Sequence, residues 1–177
     1  NIYRASRQVL LQLDDLLALT RGSAPAAENC RLSEIVEDAW GSVAAQAEAA
    51  SVHFLISGDT SVETSVSRSR IERVFVNLFA NALQAMPGGG EVNVRIEGDD
   101  ESASVIVHDT GPGVPKQIRE SLFQPFTTLG KSNGLGLGLA LSRQTVLEHG
   151  GDLILLESPQ GARFRVLLPL RSAVTAA

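Results

Sequence analysis

The 177-residue sequence has only one cysteine, Cys30, and only one methionine, Met86. A single cysteine excludes an intramolecular disulfide framework and a cysteine-based zinc site. No apolar run approaches the roughly 20 residues that a membrane-spanning helix needs, and no basic segment followed by an apolar one marks a signal peptide at the start. Twenty acidic residues outnumber fifteen basic ones, for a net charge of -5. This acidic excess argues against binding nucleic acid through its phosphates.

The rest of the composition is that of a globular protein, with 44% hydrophobic and 20% charged residues. The length corresponds to one domain, or to one domain with a short appendage. Because the sequence begins at Asn1 and its only methionine is Met86, we expect it to be an excised fragment of a longer protein.

The first 22 residues differ from the remainder of the chain. Apolar residues recur there at helical spacing and predict an amphipathic helix that ends near Gly22. The stripe consists of Val9, Leu10, Leu13, Leu16, Leu17 and Leu19. Such a stripe predicts packing against a partner helix or a second copy; a helix folded onto its own domain is the alternative. By composition residues 23–29 are a linker, residues 30–171 form the main domain, and residues 172–177 are a tail.

Helical and strand patterns share the main domain. Helices are predicted over residues 33–50, with Ser33 as the N-cap, over 67–86 and over 137–148. Strands are predicted over 52–56, 92–96, 103–107, 152–157 and 162–168, the last four as two hairpins. Helices in pairs and strands in hairpins favour an α+β fold, with helices on one face of a mixed sheet.

The second predicted helix has a polar face that carries Asn77 and Asn81 one turn apart. Asparagine is a weak helix former, costing up to about 0.7 kcal/mol relative to alanine. Two of them on one face therefore indicate a function for their amides. An amide carbonyl is a hard oxygen ligand that suits Mg²⁺. A solvated face that happens to hold two asparagines is the alternative.

A predicted buried strand ends at Asp109, shortly before Gly111 and Gly113. A carboxylate in this place can accept a hydrogen bond from an exocyclic amine, and the glycines allow a flat ligand to lie against the backbone. The alternative is an ordinary strand end with an aspartate turn. Strand alternation places His108 and Asp109 on opposite faces, which argues against a catalytic His–Asp pair.

Alternating glycines lead into the third predicted helix, at Gly134, Gly136 and Gly138. Backbone N–H groups and the positive end of the helix dipole make such a place an anion site. Neither the dinucleotide fingerprint nor the P-loop fits, because positions 139 and 125 are leucine and proline. Lys131 could reach a phosphate as a mobile cation; a solvated lysine is the alternative.

Two phenylalanines, Phe123 and Phe126, stand in an otherwise irregular stretch before the glycine run. They could anchor a flap over the glycine site. The alternative is a satellite hydrophobic cluster under a long loop.

In this order and spacing, the asparagine pair, the aspartate with its two glycines, the phenylalanine segment and the glycine run resemble the N, G1, F and G2 boxes of sensor histidine kinases. These kinases share an ATPase/kinase superfamily with gyrase, Hsp90 and MutL. The resemblance covers about residues 30–171. The stretch 122–151 is especially similar to kinases of the nitrogen-regulation and oxygen-sensing type.

The resemblance implies the two-layer α/β sandwich of that superfamily and binding of ATP with Mg²⁺. It implies that Asn81 coordinates Mg²⁺, that Asn77 supports the phosphate side, and that Asp109 binds the adenine amine. The remaining implied nucleotide-binding residues line the base pocket, close on the triphosphate or steady the lid. They are Gly111, Gly113, Phe123, Phe126, Lys131, Gly134, Gly136 and Gly138.

The resemblance also implies a protein-histidine kinase, in which the γ-phosphoryl group passes to a histidine of a dimerisation hairpin and then to an aspartate of a response regulator. Residues 1–22 resemble the second helix of that hairpin, which would make them a homodimer contact. His53, His108 and His149 all lie in the nucleotide-binding region, so we expect the phosphoacceptor helix upstream. We expect a cytoplasmic location, and the membrane anchoring of the parent protein stays open.

Hydrolysing relatives carry a glutamate one turn before the metal asparagine, where this sequence has Asn77. An amide is no useful base at neutral pH, so the sequence favours phosphoryl transfer over ATP hydrolysis. Two alternatives remain open. A serine kinase of the anti-sigma-factor type shares the boxes but does not account for the leucine-rich helix, and a non-catalytic nucleotide-sensing scaffold would transfer nothing.

Overall fold

The computed structural model describes residues 27–127 and 136–170. Within these ranges the chain forms three α-helices and seven β-strands, with one short 3₁₀ helix at Lys116–Ile118. The helices are α1 (Leu32–Ala50), α2 (Arg68–Ala85) and α3 (Gly138–Glu148). The strands are β1 (Glu28–Arg31), β2 (Val52–Gly58), β3 (Glu63–Val66), β4 (Gly90–Gly98), β5 (Ser102–Asp109), β6 (Asp152–Leu156) and β7 (Arg163–Pro169). The predicted N-terminal helix and the tail lie outside the described residues.

Five strands form a mixed sheet in the order β2-β4-β5-β7-β6. The β2–β4 pair is parallel, and the other neighbours are antiparallel. Alternate residues of the central strand β5 are buried, from Ala103 to Asp109, while those between them, including His108, are half-buried. His108 and Asp109 thus lie on opposite faces, as alternation predicts. The helices pack on the buried face, which confirms the predicted α+β fold.

Helix α2 is the centre of the core because its apolar residues repeat at helical spacing and point at the sheet. Its residues Ile71, Phe75 and Phe79 are completely buried. The ring of Phe79 lies edge-on to that of Trp40 in α1, at 5.4 Å between centroids. Such aromatic pairs contribute about 0.5–1.5 kcal/mol beyond their buried area. The packing fixes which face of α2 points away from this aromatic core, and this face carries the asparagine pair.

Strands β1 and β3 form a separate two-stranded antiparallel sheet that was not predicted. β1 begins at Glu28, inside the segment that composition assigns to the linker. Each strand has four residues and too little alternation to be recognised. A tertiary contact helps to hold β3 in place, because the buried hydroxyl of Thr64 donates to the carbonyl oxygen of Pro169 at 2.7 Å.

The prediction of Ser33 as an N-cap is wrong. Helix α1 begins one residue earlier, and its N-cap is Arg31, which makes no side-chain cap hydrogen bond. The Leu32 N–H donates instead to the carbonyl oxygen of Val62 at 3.0 Å. The Ser33 hydroxyl donates to the carbonyl oxygen of Thr60 at 2.9 Å. The loop after β2 therefore supplies partners that local sequence does not reveal.

Among the described helices, none combines the length and apolarity that crossing a membrane requires.

Candidate functional site

Helix α2 presents Asn77 and Asn81 on one face, and both side chains are half-buried. The Asn77 side-chain nitrogen Nδ2 donates to the hydroxyl oxygen of Ser142 in α3 at 3.0 Å. The Asn81 amide makes no hydrogen bond within residues 27–127 and 136–170. The predicted pair is therefore present, but its members differ: Asn77 joins two helices, and Asn81 has its amide available for a ligand.

Gly138, the first residue of α3, packs directly on the Asn77 side chain. A β-carbon at position 138 would lie 2.4 Å from Oδ1 of Asn77 and 3.0 Å from its Cγ. Real β-carbons essentially never come this close to another heavy atom. The closeness of the Asn77 side chain thus explains why position 138 is a glycine.

Asp109 is buried at 6% exposure at the end of β5. Its side-chain oxygen Oδ1 accepts hydrogen bonds from the backbone N–H groups of Gly111 at 2.9 Å and Ala162 at 3.1 Å. Its own N–H donates to the carbonyl oxygen of Ala162 at 3.0 Å. Within the described residues the second oxygen, Oδ2, accepts nothing. The carboxylate is therefore fixed in orientation and keeps one acceptor unused.

The turn after Asp109 packs against the C-terminal end of α2. A β-carbon on Gly111 would lie 3.2 Å from Cγ of Met86 and 3.4 Å from the β-carbon of Ala85. Asn77 and Ala85 are eight residues apart, which is about 12 Å along a helix axis. Asn81 lies midway between them on α2. Helix α2 therefore contacts the beginning of α3 at Asn77 and the turn after Asp109 at Ala85.

Sequence reasoning missed the β6–β7 turn as part of the site. Gly161 has a φ of 71°, and a β-carbon there would lie 1.7 Å from the carbonyl oxygen of Asp109. The same turn approaches Gly113, whose β-carbon would lie 2.8 Å from the carbonyl oxygen of Gly161. The sequence predicts only a hairpin turn at residues 158–161, because no local pattern indicates that this turn contacts Asp109. Ser142 was missed for the same reason.

The two phenylalanines have different surroundings. Phe123 packs edge-on against Phe164, with centroids 6.5 Å apart, and the guanidinium carbon of Arg143 lies 5.2 Å from the Phe123 centroid. Phe126 is 72% exposed and has a positive φ of 68°. Only Phe123 is joined to the core, so the two residues do not form one cluster.

Phe126 and Thr127 lie next to Gly136, which is two residues before α3. The N–H of Phe126 donates to the carbonyl oxygen of Gly136 at 3.0 Å. Gly136 has a φ of 66°, and a β-carbon on it would lie 2.5 Å from the carbonyl oxygen of Thr127. Two predicted site residues, Lys131 and Gly134, lie outside the described residues.

In the part of the chain that the structure describes, no group of three or more His, Cys, Asp or Glu residues could hold a metal ion. The side-chain amide oxygens of α2 are hard ligands that this site offers to a metal ion together with the oxygens of a substrate. The unbonded amide of Asn81 fits such a ligand set, because Mg²⁺ prefers hard oxygen donors and is often shared with substrate phosphates.

The ends of α2 and α3 that are remote from Gly138 are also joined. Arg70 pairs with Glu148, and this hydrogen bond, opposed by partial burial, keeps the pKa of the Glu148 carboxyl below its usual value. The N–H of Ser67, just before α2, donates to Nε2 of His149 at 3.1 Å. The two helices are therefore connected at both ends by polar contacts.

The chain is similar in sequence to proteins of known family. The family model for histidine kinase-, DNA gyrase B- and HSP90-like ATPases matches residues 66–172. The alginate biosynthesis sensor protein KinB of Pseudomonas aeruginosa is 33% identical over 172 residues, which cover 93% of this chain and 29% of KinB. The sensory histidine kinase/phosphatase NtrB of Klebsiella oxytoca is 34% identical over 113 residues, which cover 58% of this chain and 32% of NtrB. This chain thus spans about a third or less of either relative.

Solved structures resemble the fold closely. The catalytic domain of the histidine kinase ThkA has a TM-score of 0.75 and 25% identity, and the match covers 82% of this chain and 99% of that domain. ThkA in complex with the response regulator protein TrrA matches with a TM-score of 0.81 and 22% identity, over 98% of this chain and 50% of that chain. The second likeness is one of fold alone.

Proposed function

The chain belongs to the family of histidine kinase-, DNA gyrase B- and HSP90-like ATPases, and from this membership we propose that it is the ATP-binding catalytic part of a protein-histidine kinase. It binds ATP with Mg²⁺ and transfers the γ-phosphoryl group to a histidine on a dimerisation hairpin of the parent protein. The phosphoryl group then passes to an aspartate of a response regulator.

The orientation of Asp109 is the observation that carries this proposal. Two backbone N–H groups hold one carboxylate oxygen, and the other is left to accept a hydrogen bond from a ligand. An exocyclic amine such as that of adenine donates to this acceptor, whereas the carbonyl of guanine would repel it. The crowding at Gly111 and Gly113 supports a pocket floor made of backbone, on which a flat base can lie.

The phosphates bind between α2 and the beginning of α3. The first N–H groups of a helix have no intrahelical partner and attract anions, so α3, which begins at Gly138, directs such donors toward the phosphate oxygens. Gly136, two residues before the helix, adjoins this place. Lys131 and Gly134 are proposed to join them from residues outside the described part. Phe123 is held by Phe164 and Arg143 and is proposed to support the chain that leads to the glycine run. Phe126 belongs to the same stretch but lies at the surface.

Asn81 is the proposed protein ligand of Mg²⁺. When bound, the metal ion neutralises negative charge on the transferring phosphate. The side-chain oxygen of Asn81 orients that ion relative to α2, and Asn77 supports the neighbouring phosphate side. No side chain of α2 at this place is a base, which agrees with transfer to an external nucleophile: phosphoryl transfer depends mainly on positioning and electrostatic stabilisation.

The partners of the whole protein are proposed from its similarity to sensor histidine kinases. We propose a response regulator as the recipient of the phosphate, by analogy with ThkA, which shares the fold of this chain and forms a complex with the response regulator protein TrrA. Residues 1–22, with their leucine stripe, are proposed to be the second hairpin helix and to contribute to a homodimer. The domain boundaries at residues 22, 29 and 171 are proposed on the same basis.

Calorimetric titration with ATP tests the site directly, with and without Mg²⁺, on the chain and on Asn81→Ala. We expect binding that Mg²⁺ strengthens, with most of the Mg²⁺ effect lost in the variant. If ATP fails to bind to the unaltered chain, the nucleotide site proposed here is wrong.

Labelled γ-phosphate tests the reaction in the parent protein. Label that is lost in acid identifies a phosphohistidine, and label that survives acid identifies a serine kinase. Binding of ATP without any transfer would indicate a nucleotide-sensing scaffold.

A further inference from the structure

The geometry points to Ser142 as a positioning residue for ATP binding, and we propose that its hydroxyl fixes the orientation of the Asn77 amide. This inference rests on the proposed function, because the amide in question borders the phosphate site. Ser142 is not part of any of the glycine, asparagine or phenylalanine motifs. It contacts no proposed ligand itself and acts through Asn77.

Ser142 is placed for this role by the helix geometry of α3. It is buried at 6% exposure and lies four residues after Gly138, so both residues lie on the same face of the helix. That face packs on α2. The Ser142 oxygen accepts a hydrogen bond from Nδ2 of Asn77 at 3.0 Å, while Gly138 lies against Oδ1 of the same amide.

An asparagine amide has a donor end and an acceptor end, and in the structure the donor end of Asn77 faces the Ser142 hydroxyl. With its nitrogen on Ser142, Asn77 directs its oxygen to the first turn of α3. N–H groups in the first turn of a helix are unpaired donors at the positive end of the dipole. An acceptor is favourable there, and the reversed amide would place a second donor against the same turn.

The contact also determines how α3 is held. Far from the phosphate site, α3 is joined to α2 by Arg70 with Glu148 and by His149 with Ser67. At the glycine end, the hydrogen bond between Asn77 and Ser142 joins the helices. Removing the Ser142 hydroxyl would thus release the end that carries the phosphate donors while the far end stays attached.

Ser142→Ala is the informative variant, and Ser33→Ala is its matched control. Ser33 has the same 6% exposure, and its hydroxyl also makes one hydrogen bond, to the carbonyl oxygen of Thr60 at 2.9 Å, but in α1 away from the site. Loss of one such hydrogen bond should weaken Mg²⁺-ATP binding by about fivefold in Ser142→Ala. Ser33→Ala should bind as the unaltered chain does. Ser142→Thr keeps the hydroxyl and should restore most of the affinity.

The side-chain NH₂ signals of Asn77 in ¹⁵N-resolved NMR report directly whether the Ser142 hydroxyl holds this amide in solution, independently of the stability of the protein. In the nucleotide-free protein we expect them to shift and to exchange faster with water in Ser142→Ala, and to stay unchanged in Ser33→Ala.

The outcomes separate this inference from the proposed function. If the unaltered chain does not bind ATP, the proposed function fails and this inference fails with it. If the unaltered chain binds ATP, but Ser142→Ala matches Ser33→Ala in affinity and leaves the Asn77 signals in place, then only the positioning role is overturned.

Discussion

The carbonyl oxygen of Asp109 lies 1.7 Å from the position that a β-carbon on Gly161 would occupy. Gly161 also has a φ of 71°, in the left-handed region. The next residue, Ala162, accepts a hydrogen bond from the Asp109 N–H at its carbonyl oxygen and donates its own N–H to the Asp109 carboxylate. A glycine in the β6–β7 turn therefore sets how closely this turn can approach the proposed adenine ligand.

Gly161→Ala should destabilise the protein and weaken ATP binding, because the added methyl group forces the turn away from Asp109. Gly150→Ala is the matched control. Gly150 has a similar φ of 78°, but its β-carbon would make only an ordinary contact at 3.5 Å with Pro169. The left-handed conformation alone costs a non-glycine residue about 1–2 kcal/mol. Urea unfolding should show a loss in this range for Gly150→Ala and a larger one for Gly161→Ala. Equal losses would mean that the turn relaxes without cost.

Gly138→Ala should lower both stability and ATP affinity, because its β-carbon would lie 2.4 Å from the Asn77 side-chain oxygen. Gly41 in α1 is a helical glycine with nothing within 4 Å of its added β-carbon. Gly41→Ala should therefore stabilise the protein, by about 1 kcal/mol, through helix propensity. Thermal unfolding and calorimetry on the two variants measure these opposite effects. A stabilised Gly138→Ala would show that α2 and α3 are not in close contact.

Asp109→Asn should abolish the preference for ATP over GTP. The amide oxygen can still accept from Gly111 and Ala162, so the amide NH₂ then replaces the unused carboxylate oxygen and faces the adenine amine as a second donor. Hydrogen bonds to charged groups contribute about 1.5–3 kcal/mol, so ATP affinity should fall by about 10- to 100-fold.

Asp99→Asn is the control for this change. Asp99 also accepts two backbone hydrogen bonds, from Glu101 and Ser102, but it lies in the β4–β5 turn. It should leave ATP affinity unchanged. If Asp109→Asn binds ATP normally, the adenine lies elsewhere.

The sequence predicts those parts of this protein that depend on neighbours along the chain. The apolar repeat of α2 and the alternation in β5 both locate an element and its buried face within a residue or two. The Asn77–Asn81 spacing likewise follows from the helix period alone.

Contacts between distant segments are what the sequence does not predict. β1 and β3 are each four residues long, and they form because they pair with one another and because Thr64 reaches Pro169. Ser33 looks like an N-cap, but its hydroxyl has a better placed acceptor in the loop after β2. Ser142 and Gly161 carry no local signal, since their partners Asn77 and Asp109 are more than 50 residues away in each case.

Ser67→Ala should cost less than the usual loss of about 1 kcal/mol for removing an N-cap hydroxyl. Ser67 occupies the N-cap of α2 without a side-chain cap hydrogen bond. Its buried oxygen has no partner in the described residues, so alanine removes an unsatisfied polar group. Its backbone N–H, which bonds to His149, is unaffected. Urea unfolding should show a smaller loss than for Ser33→Ala, whose hydroxyl does have an acceptor. A loss as large as that of Ser33→Ala would indicate a partner for the Ser67 hydroxyl in solution.

Arg143→Met should raise the pKa of Asp152. The Arg143 hydrogen bond is the main cause that keeps the pKa of this carboxyl below its usual value, against a smaller opposing effect of burial. Methionine keeps apolar contact with Phe123 while it removes the charge. Titration of Asp152 by NMR should show the rise. Asp59, whose pKa is lowered by Ser61 instead, should titrate as before.

The same substitution gives the stability a definite pH dependence. A carboxyl with a depressed folded-state pKa contributes stability above the unfolded pKa, about 3.9 for aspartate, and loses it as the pH falls through the folded value. Both side chains are about one-third exposed, at 39% and 34%, so solvent screening limits the pair to at most about 1 kcal/mol. The free energy of unfolding of Arg143→Met should thus be lower than that of the unaltered chain at pH 7, and the difference should vanish in acid. A difference that persists after Asp152 is protonated would assign the role of Arg143 to its cation–π interaction with Phe123, which methionine lacks and which acid does not disrupt.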